Sequence, residues 1–277
     1  MKLSHFHPQA FLTVLDNIDQ ESMSKTWGGR QRNTLLIALL VAATCLLFVN
    51  YVKNGSFFFA MIKQLSLWSG VSPRVIFQEM KGQQYYSIYP QAWWGLVNIV
   101  GYLLIPMVCV KWVMKERLDD YGLQWGSVSE HKWWYVLLAS PIMVFAILVS
   151  FRQDFSTHYP FYPLAYRSWV DLLLWECIYI SQFVAIEFFF RGFLINILKP
   201  RLGSLSILVM CLPYVMIHFP KPWLESTGAI LFGLFLGVLA LRSRSIWGGV
   251  LVHVTIALTM DIAALLQGRG MPDVFLP

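Results

Sequence analysis

The chain has 277 residues, of which 57% are hydrophobic and 13% are charged, and its formal net charge is +6. Soluble domains carry roughly 25% charged residues, so this composition excludes a protein built from soluble domains. Disorder is excluded as well, because the chain is rich in large apolar side chains. The positive charge has no basic face or binding motif beside it, so we expect no nucleic-acid partner. The composition indicates a membrane protein whose main partner is the lipid bilayer.

Seven apolar runs approach or reach the ~20 helical residues that cross a ~30 Å hydrocarbon layer. They are 34–52, 92–114, 133–151, 169–190, 204–219, 227–241 and 246–266. The fifth and sixth runs are short, and the fourth can continue as a helix to residue 198. Tryptophans stand near the ends of these runs, as in an aromatic belt at a membrane interface. We therefore predict an all-α fold, a polytopic bundle of about seven transmembrane helices.

Two segments outside these runs are expected at the membrane surface. Near the N-terminus, Phe11, Leu12, Leu15 and Ile18 recur at helical spacing, which predicts an interfacial amphipathic helix. This segment lacks the continuous apolar stretch of a secretory signal peptide. Residues 55–90 mix aromatic and polar side chains, which favours an interfacial or re-entrant segment.

Basic residues predict the orientation of the chain. Lys and Arg cluster next to alternate spans, at Lys25, Arg30 and Arg32 and in 111–117, 191–201 and 242–244. With seven spans these clusters share one side, which the positive-inside rule assigns to the cytoplasm. We expect a cytoplasmic N-terminus.

Ionisable residues inside the predicted spans are concentrated in the second half of the chain. Each costs about 2.5–3.5 kcal/mol at the centre of a membrane helix and is a functional candidate by default. They are Asp171, Glu176, Glu187, Arg191, His218, His253 and Asp261. Glu187 and Arg191 are four residues apart and share a helix face with Glu176, which lies about three turns earlier. Asp171, near the start of its span, is predicted to be a solvated helix-start residue.

A structural interpretation competes with a functional one for these residues. Glu–Arg pairs at this spacing are common as structural ion pairs. His218, which precedes Pro220, fits an interfacial histidine, and His253 fits a hydrogen-bonded core histidine. One glutamate, one arginine and two histidines on neighbouring spans favour a shared site.

Three ordered motifs resemble those of the CAAX-protease and bacteriocin-processing family of intramembrane proteases. The family pattern Glu-Glu-x-x-x-Arg corresponds to 186–191, Phe-x-x-x-His to 214–218 and His-x-x-x-Asn to 253–257. The stretches 120–123, 191–194 and 245–247 also resemble family sequences, and the resemblance covers 118–266. The chain departs from the motifs at three positions, which are Ile186 for the first Glu, Tyr214 for Phe and Ala257 for Asn.

This resemblance implies a division of the chain into three parts. Residues 1–33 form a cytoplasmic amphipathic segment, and residues 34–117 form two family-variable transmembrane spans with an outer or re-entrant loop. Residues 118–277 form the CAAX-protease-like transmembrane core. The implied location is a bacterial cytoplasmic membrane.

The function implied by the resemblance is hydrolysis of a peptide bond in a membrane-associated peptide or protein substrate. A glutamate activates water, and no covalent intermediate forms. Glu187 takes the role of base in place of the missing first Glu, next to Arg191, while His218 and His253 hold the water and stabilise the oxyanion. The expected supporting residues are Glu176, Tyr214 and Asp261.

Other functions stay open at this point. The chain is alternatively a catalytically degenerate family member that binds a peptide or membrane-protein partner as a regulator or assembly factor. We expect no metal or other cofactor. Zinc held by Glu187, His218 and His253 ranks second, because the HExxH spacing is absent.

Overall fold

All regular structure in the described part of the chain is helical. The computed structural model describes residues 8–23 and 28–277, and these ranges contain helices and turns but no strand. The predicted all-α fold class is confirmed. A helix satisfies its backbone N–H and C=O groups within one segment, which is what an apolar chain in a lipid bilayer requires.

Ten helices of eight or more residues follow one another in these ranges. In chain order they are α1 (Pro8–Met23), α2 (Gly29–Val52), α3 (Gly55–Trp68), α4 (Pro73–Lys81), α5 (Tyr86–Met114), α6 (Lys132–Val149), α7 (Trp169–Leu202), α8 (Leu205–Met216), α9 (Trp223–Ser243) and α10 (Trp247–Gln267). Single helical turns at Leu118–Tyr121 and Gln153–Ser156 lie in the connections.

Seven of these helices coincide with the seven predicted spans. Among the described residues, six are long and apolar enough to cross a membrane, namely α2, α5, α6, α7, α9 and α10. The seventh is α8, whose 12 residues extend only ~18 Å against a ~30 Å layer. α7 is longer than predicted, with 34 residues that end at Leu202. Large apolar side chains such as Leu40 and Leu148 stay exposed along the helices, as on a lipid-facing surface. The chain is an integral membrane protein.

The predicted N-terminal helix is formed by α1. Ile18 is buried and Leu12 is exposed, while the side chain of Phe11 lies outside the described part. Asp19 accepts hydrogen bonds from the backbone N–H and the hydroxyl of Ser204. The predicted surface segment 55–90 contains the short helices α3 and α4. Its membrane position, like that of α1, stays a prediction.

The chain divides into two compact units. The first contains the described residues up to Ala43, together with Ile105–Val136 and Glu187–Leu251. Its core includes Phe188, Phe190, Met210, Tyr214, Leu236 and Ile246. Within it, α9 approaches α8 through two glycines, because a methyl carbon at Gly233 or Gly237 would overlap a side chain of α8. Small residues four apart allow such close packing of membrane helices.

The second unit contains Thr44–Leu104, Leu137–Ile186 and Val252–Pro277. Its core is largely aromatic, with Tyr162, Trp175, Tyr179 and Phe183 buried beside Ala257. Trp175 stacks on Tyr179 with ring centroids 4.9 Å apart.

Candidate functional site

The first motif forms a buried ion pair in the first unit. Arg191 Nη1 lies 2.9 Å from Glu187 Oε1, and neither side chain has exposed surface. Because the two residues stand one turn apart on α7, the helix itself brings them together. The guanidinium carbon of Arg191 also lies 4.0 Å from the centre of the Tyr214 ring. The predicted proximity of Glu187 and Arg191 is therefore confirmed.

The helix α7 changes geometry directly after Glu187. Residues Phe188–Leu194 are π-helical, and all seven are buried. A π-helical turn is wider than an α-helical turn and occurs frequently at functional sites. Arg191 thus stands in an irregular turn, which a hydrophobic pattern with a period of 3.6 residues does not predict.

Two glycines allow the pair to be enclosed. A methyl carbon built on Gly249 would lie 2.2 Å from Glu187 Oε2, so the backbone of α10 covers that side of the carboxylate. A methyl carbon on Gly192 would lie 2.5 Å from the carbonyl oxygen of Tyr121. Both positions require a residue without a side chain for steric reasons. Gly249 is not among the predicted site residues, and its only signal in the sequence is the glycine pair at 248–249.

The connection before α6 is bonded to the turn between α9 and α10. The backbone N–H of Ile246 donates to the carbonyl of Gly122 at 3.0 Å. The indole Nε1 of Trp247 donates to the carbonyl of Leu123 at 2.9 Å. These residues come from the family-like stretches 120–123 and 245–247, and their shared role is to hold the connection against the start of α10.

The second motif joins the ion pair through Tyr214. The rings of His218 and Tyr214 have centroids 4.7 Å apart, and His218 Nδ1 lies 2.8 Å from the Tyr214 carbonyl oxygen. A carbonyl oxygen can only accept, so Nδ1 donates, and in the neutral ring Nε2 carries the lone pair. Tyr214 is buried, whereas His218 is half-buried. Glu187, Arg191, Tyr214 and His218 thus form one continuous cluster.

The third motif lies in the second unit. The ring of His253 stacks on Phe183 with centroids 5.4 Å apart and an interplanar angle of 4°. Two turns further along α10, Asp261 accepts a hydrogen bond of 2.6 Å from Trp175 Nε1. Ala257 between them is buried in the same apolar cluster. His253 is therefore held by an aromatic partner on α7, and Asp261 acts as an acceptor.

Glu176 lies in the second unit, eleven residues before Glu187 in the sequence. It takes no part in the Glu187–Arg191 pair. Both of its carboxylate oxygens are buried and have no hydrogen-bond partner among the described residues. Its supporting role stays a prediction.

The prediction that Asp171 is solvated is wrong. Its side chain has no exposed surface, and it accepts hydrogen bonds from Tyr162, Arg167 and Ser168 at 2.7–2.8 Å. Burial, and then the bond to Asp171, raises the pKa of the Tyr162 phenol above its usual range, so that the phenol stays a donor. Arg167 and Ser168, four and three residues earlier, were the available sequence signal. Asp171 anchors the connection that enters α7.

Within residues 8–23 and 28–277, no three His, Cys, Asp or Glu side chains are grouped as a metal ion would need. Zinc held by Glu187, His218 and His253 stays the second-ranked alternative. The absence of a cofactor in the working protein stays a prediction.

Part of the chain matches a known protein family. Residues 167–259, about a third of the chain, match the family model described as Type II CAAX prenyl endopeptidase Rce1-like. The matched segment contains all three motifs, from position 186 to position 257. No curated protein and no solved structure gave a match. Residues 167–259 are thus similar to the type II CAAX prenyl endopeptidases, and the family resemblance predicted from the three motifs is confirmed.

Proposed function

We propose that this chain is an intramembrane endopeptidase of the CAAX-protease type that cleaves a membrane-associated peptide or protein. The observation that carries this proposal is the continuous cluster of Glu187, Arg191, Tyr214 and His218, in which two of the family motifs meet. We further propose that the protein resides in a bacterial cytoplasmic membrane with its N-terminus in the cytoplasm, as the basic clusters predict.

In the proposed reaction, Glu187 takes a proton from water while the water oxygen bonds to the carbon of the scissile carbonyl. The same proton then passes to the leaving amine as the carbon–nitrogen bond breaks. His218 accepts a hydrogen bond from the water through Nε2, since its Nδ1 donates to Tyr214. For His253 we propose the oxyanion-stabilising role that the third motif implies. General-base catalysis of this kind contributes typically 10²–10⁴-fold to the rate.

This mechanism requires that the Glu187 carboxylate turns away from Arg191 during the reaction. Glu187 Oε1 lies 2.9 Å from Arg191 Nη1, and a carboxylate engaged with a guanidinium is not placed to accept a proton from water. The backbone at Gly249 covers Oε2, so Oε1 is the oxygen that has to reach the water. Substrate binding has to supply the energy for this movement.

A second candidate is a catalytically degenerate protein that binds a peptide or membrane-protein partner. The full enclosure of Glu187 favours it, because a carboxylate between Arg191 and the backbone of α10 has the surroundings of a structural ion pair. Two replacements in the family motifs also favour this candidate, namely Ile186 for a carboxylate and Ala257 for an amide. In this candidate the cluster only maintains the fold around the partner-binding surface.

Cleavage of a defined probe separates the two candidates. Purified protein in lipid nanodiscs is incubated with a farnesylated, fluorescence-quenched peptide that ends in a Cys-aliphatic-aliphatic-Ser sequence. The variants are His218→Gln, His253→Gln, and Glu187→Gln together with Arg191→Gln, which removes both charges of the pair. An enzyme of the proposed type cleaves the probe, and each variant loses about 10²-fold or more.

Two results would decide against this mechanism. Full activity in the double variant Glu187→Gln and Arg191→Gln would show that Glu187 is not the general base. If the wild type is inactive and the Ile186→Glu and Ala257→Asn double variant cleaves the probe, the second candidate is correct. Thermal unfolding of every variant provides the control for folding.

A further inference from the structure

The first unit contains a cavity of about 650 Å³ that the proposed reaction does not use. Its walls come from α1, from the connection at 120–124, from the end of α7 and from the turn between α9 and α10. Because α9 and α10 are of membrane-spanning length, their shared turn lies where lipid headgroups meet the protein.

The cavity is rich in positive charge. It is lined by the basic residues Arg191, Lys199, Arg242 and Arg244, and by the acidic residues Glu21 and Asp120. Arg191 is paired with Glu187, and Lys199 is paired with Glu21 at 3.0 Å.

Arg242 and Arg244 differ from Arg191 and Lys199 in their exposure and in their acidic partners. Both are exposed, and in the described part of the chain neither has a carboxylate within salt-bridge distance. Two guanidinium groups therefore face this space with their charge uncompensated.

The remaining lining determines which anion fits. An apolar wall is formed by Val14, Ile18, Leu241 and Ile246, and amide groups are provided by Asn17 and Gln124. The amide of Asn196 also lines the cavity, but its nitrogen donates to the Gly192 carbonyl at 2.7 Å. Guanidinium groups bind phosphate through paired hydrogen bonds, and an amide can donate to a glycerol or phosphate oxygen. A free inorganic anion makes no use of the apolar wall, whereas the glycerol and first methylenes of a lipid do.

We propose that this cavity binds the phosphate headgroup of an anionic membrane lipid, with Arg242 and Arg244 as the phosphate-binding residues. The positive-inside rule accounts for basic residues in this turn. It does not account for a walled cavity that also has an apolar side. The proposal is independent of proteolysis, because it concerns binding alone.

The test is a thermal-unfolding titration of delipidated protein in detergent. The probes are dioctanoyl phosphatidylglycerol, dioctanoyl phosphatidylcholine and inorganic phosphate. We expect phosphatidylglycerol to stabilise the protein at the lowest concentration. In the double variant Arg242→Gln and Arg244→Gln, the same stabilisation should require a phosphatidylglycerol concentration at least about 10-fold higher. This is the effect expected for the loss of charge-assisted hydrogen bonds.

Two further variants make the result specific. Lys115→Gln with Lys132→Gln removes the same charge at the two ends of the connection between α5 and α6, at positions outside the cavity lining. This variant should leave the titration within twofold of wild type. Gln124→Trp fills the cavity without changing charge and should weaken phosphatidylglycerol binding as the arginine variant does. Equal effects of both charge variants, or equal potency of phosphatidylcholine, would overturn the proposal. Equal potency of inorganic phosphate would replace the lipid with a free anion.

Discussion

Glu187 and Arg191 form an ion pair in which Oε1 and Nη1 are 2.9 Å apart and neither side chain has exposed surface. Glu187 is the only carboxylate in the segment 186–191, since Ile186 precedes it. Arg191 also contacts the ring of Tyr214. One charge pair thus holds two motifs together, and the stability of the cluster depends on both of its charges.

Neutralising one member of this pair should lower the free energy of unfolding more than neutralising both members does. Arg191→Met leaves a buried carboxylate without its counter-charge, and Glu187→Gln leaves a buried guanidinium, at a cost of about 3–5 kcal/mol each. The combination of Glu187→Gln with Arg191→Met leaves no buried charge and should recover most of this loss. Equilibrium unfolding in mixed micelles measures the three free energies. If the single effects simply add in the double variant, the two side chains do not depend on each other.

Gly249→Ala should destabilise the protein. The added methyl carbon would lie 2.2 Å from Glu187 Oε2, and overpacking of this kind costs about 1–3 kcal/mol. Gly228→Ala is the matched control, because Gly228 lies inside α9 with nothing within 4 Å of the added carbon. Alanine is the better helix former by about 0.5–1 kcal/mol, so the control should gain stability. The same unfolding assay compares them, and similar effects at both sites would contradict the close approach of α10 to Glu187.

Asp171→Asn should weaken the connection into α7. Asp171 is fully buried and accepts from Arg167, Ser168 and Tyr162. Hydrogen bonds to a charged group contribute about 1.5–3 kcal/mol, so we expect a loss of about that size. The control is Asp154→Asn, which breaks the exposed Arg152–Asp154 pair and should change little. A small effect at Asp171 would support the solvated position that the sequence predicts.

Asp19→Ala should release α1 from the start of α8. Asp19 Oδ1 accepts the backbone N–H of Ser204 at 2.6 Å, and Oδ2 accepts the Ser204 hydroxyl at 3.0 Å. Loss of a helix cap costs typically about 1 kcal/mol. A loss of 1–2 kcal/mol corresponds to about 5–30-fold faster amide hydrogen exchange in α1, measured by mass spectrometry. Asp16→Ala, on the exposed side of the same helix, should leave this exchange unchanged, and equal exchange in both variants would argue against the contact.

The helices and the Glu187–Arg191 pair follow from local sequence patterns. A lipid bilayer requires each spanning segment to satisfy its own backbone, so apolar runs of sufficient length predict helices with little reference to the rest of the chain. The pair is predictable for a similar reason, since residues four apart on one helix face meet whatever surrounds them. The three motifs, read in order, indicated the family that the comparison then matched.

Only the tertiary structure decided what encloses these groups. Two contacts join residues far apart in the chain, namely that of Gly249 with Glu187 and that of 120–123 with the start of α10. Both depend on how closely the elements approach, which the steric space at particular glycines controls. The burial of Asp171 depends on how the preceding connection folds back, since its partners are Tyr162, Arg167 and Ser168. The π-helical turn at Phe188–Leu194 adds a change of phase that no regular period encodes. The sequence by itself therefore determined the membrane helices and the identity of the charged groups, whereas helix packing determined which of those groups are buried against one another.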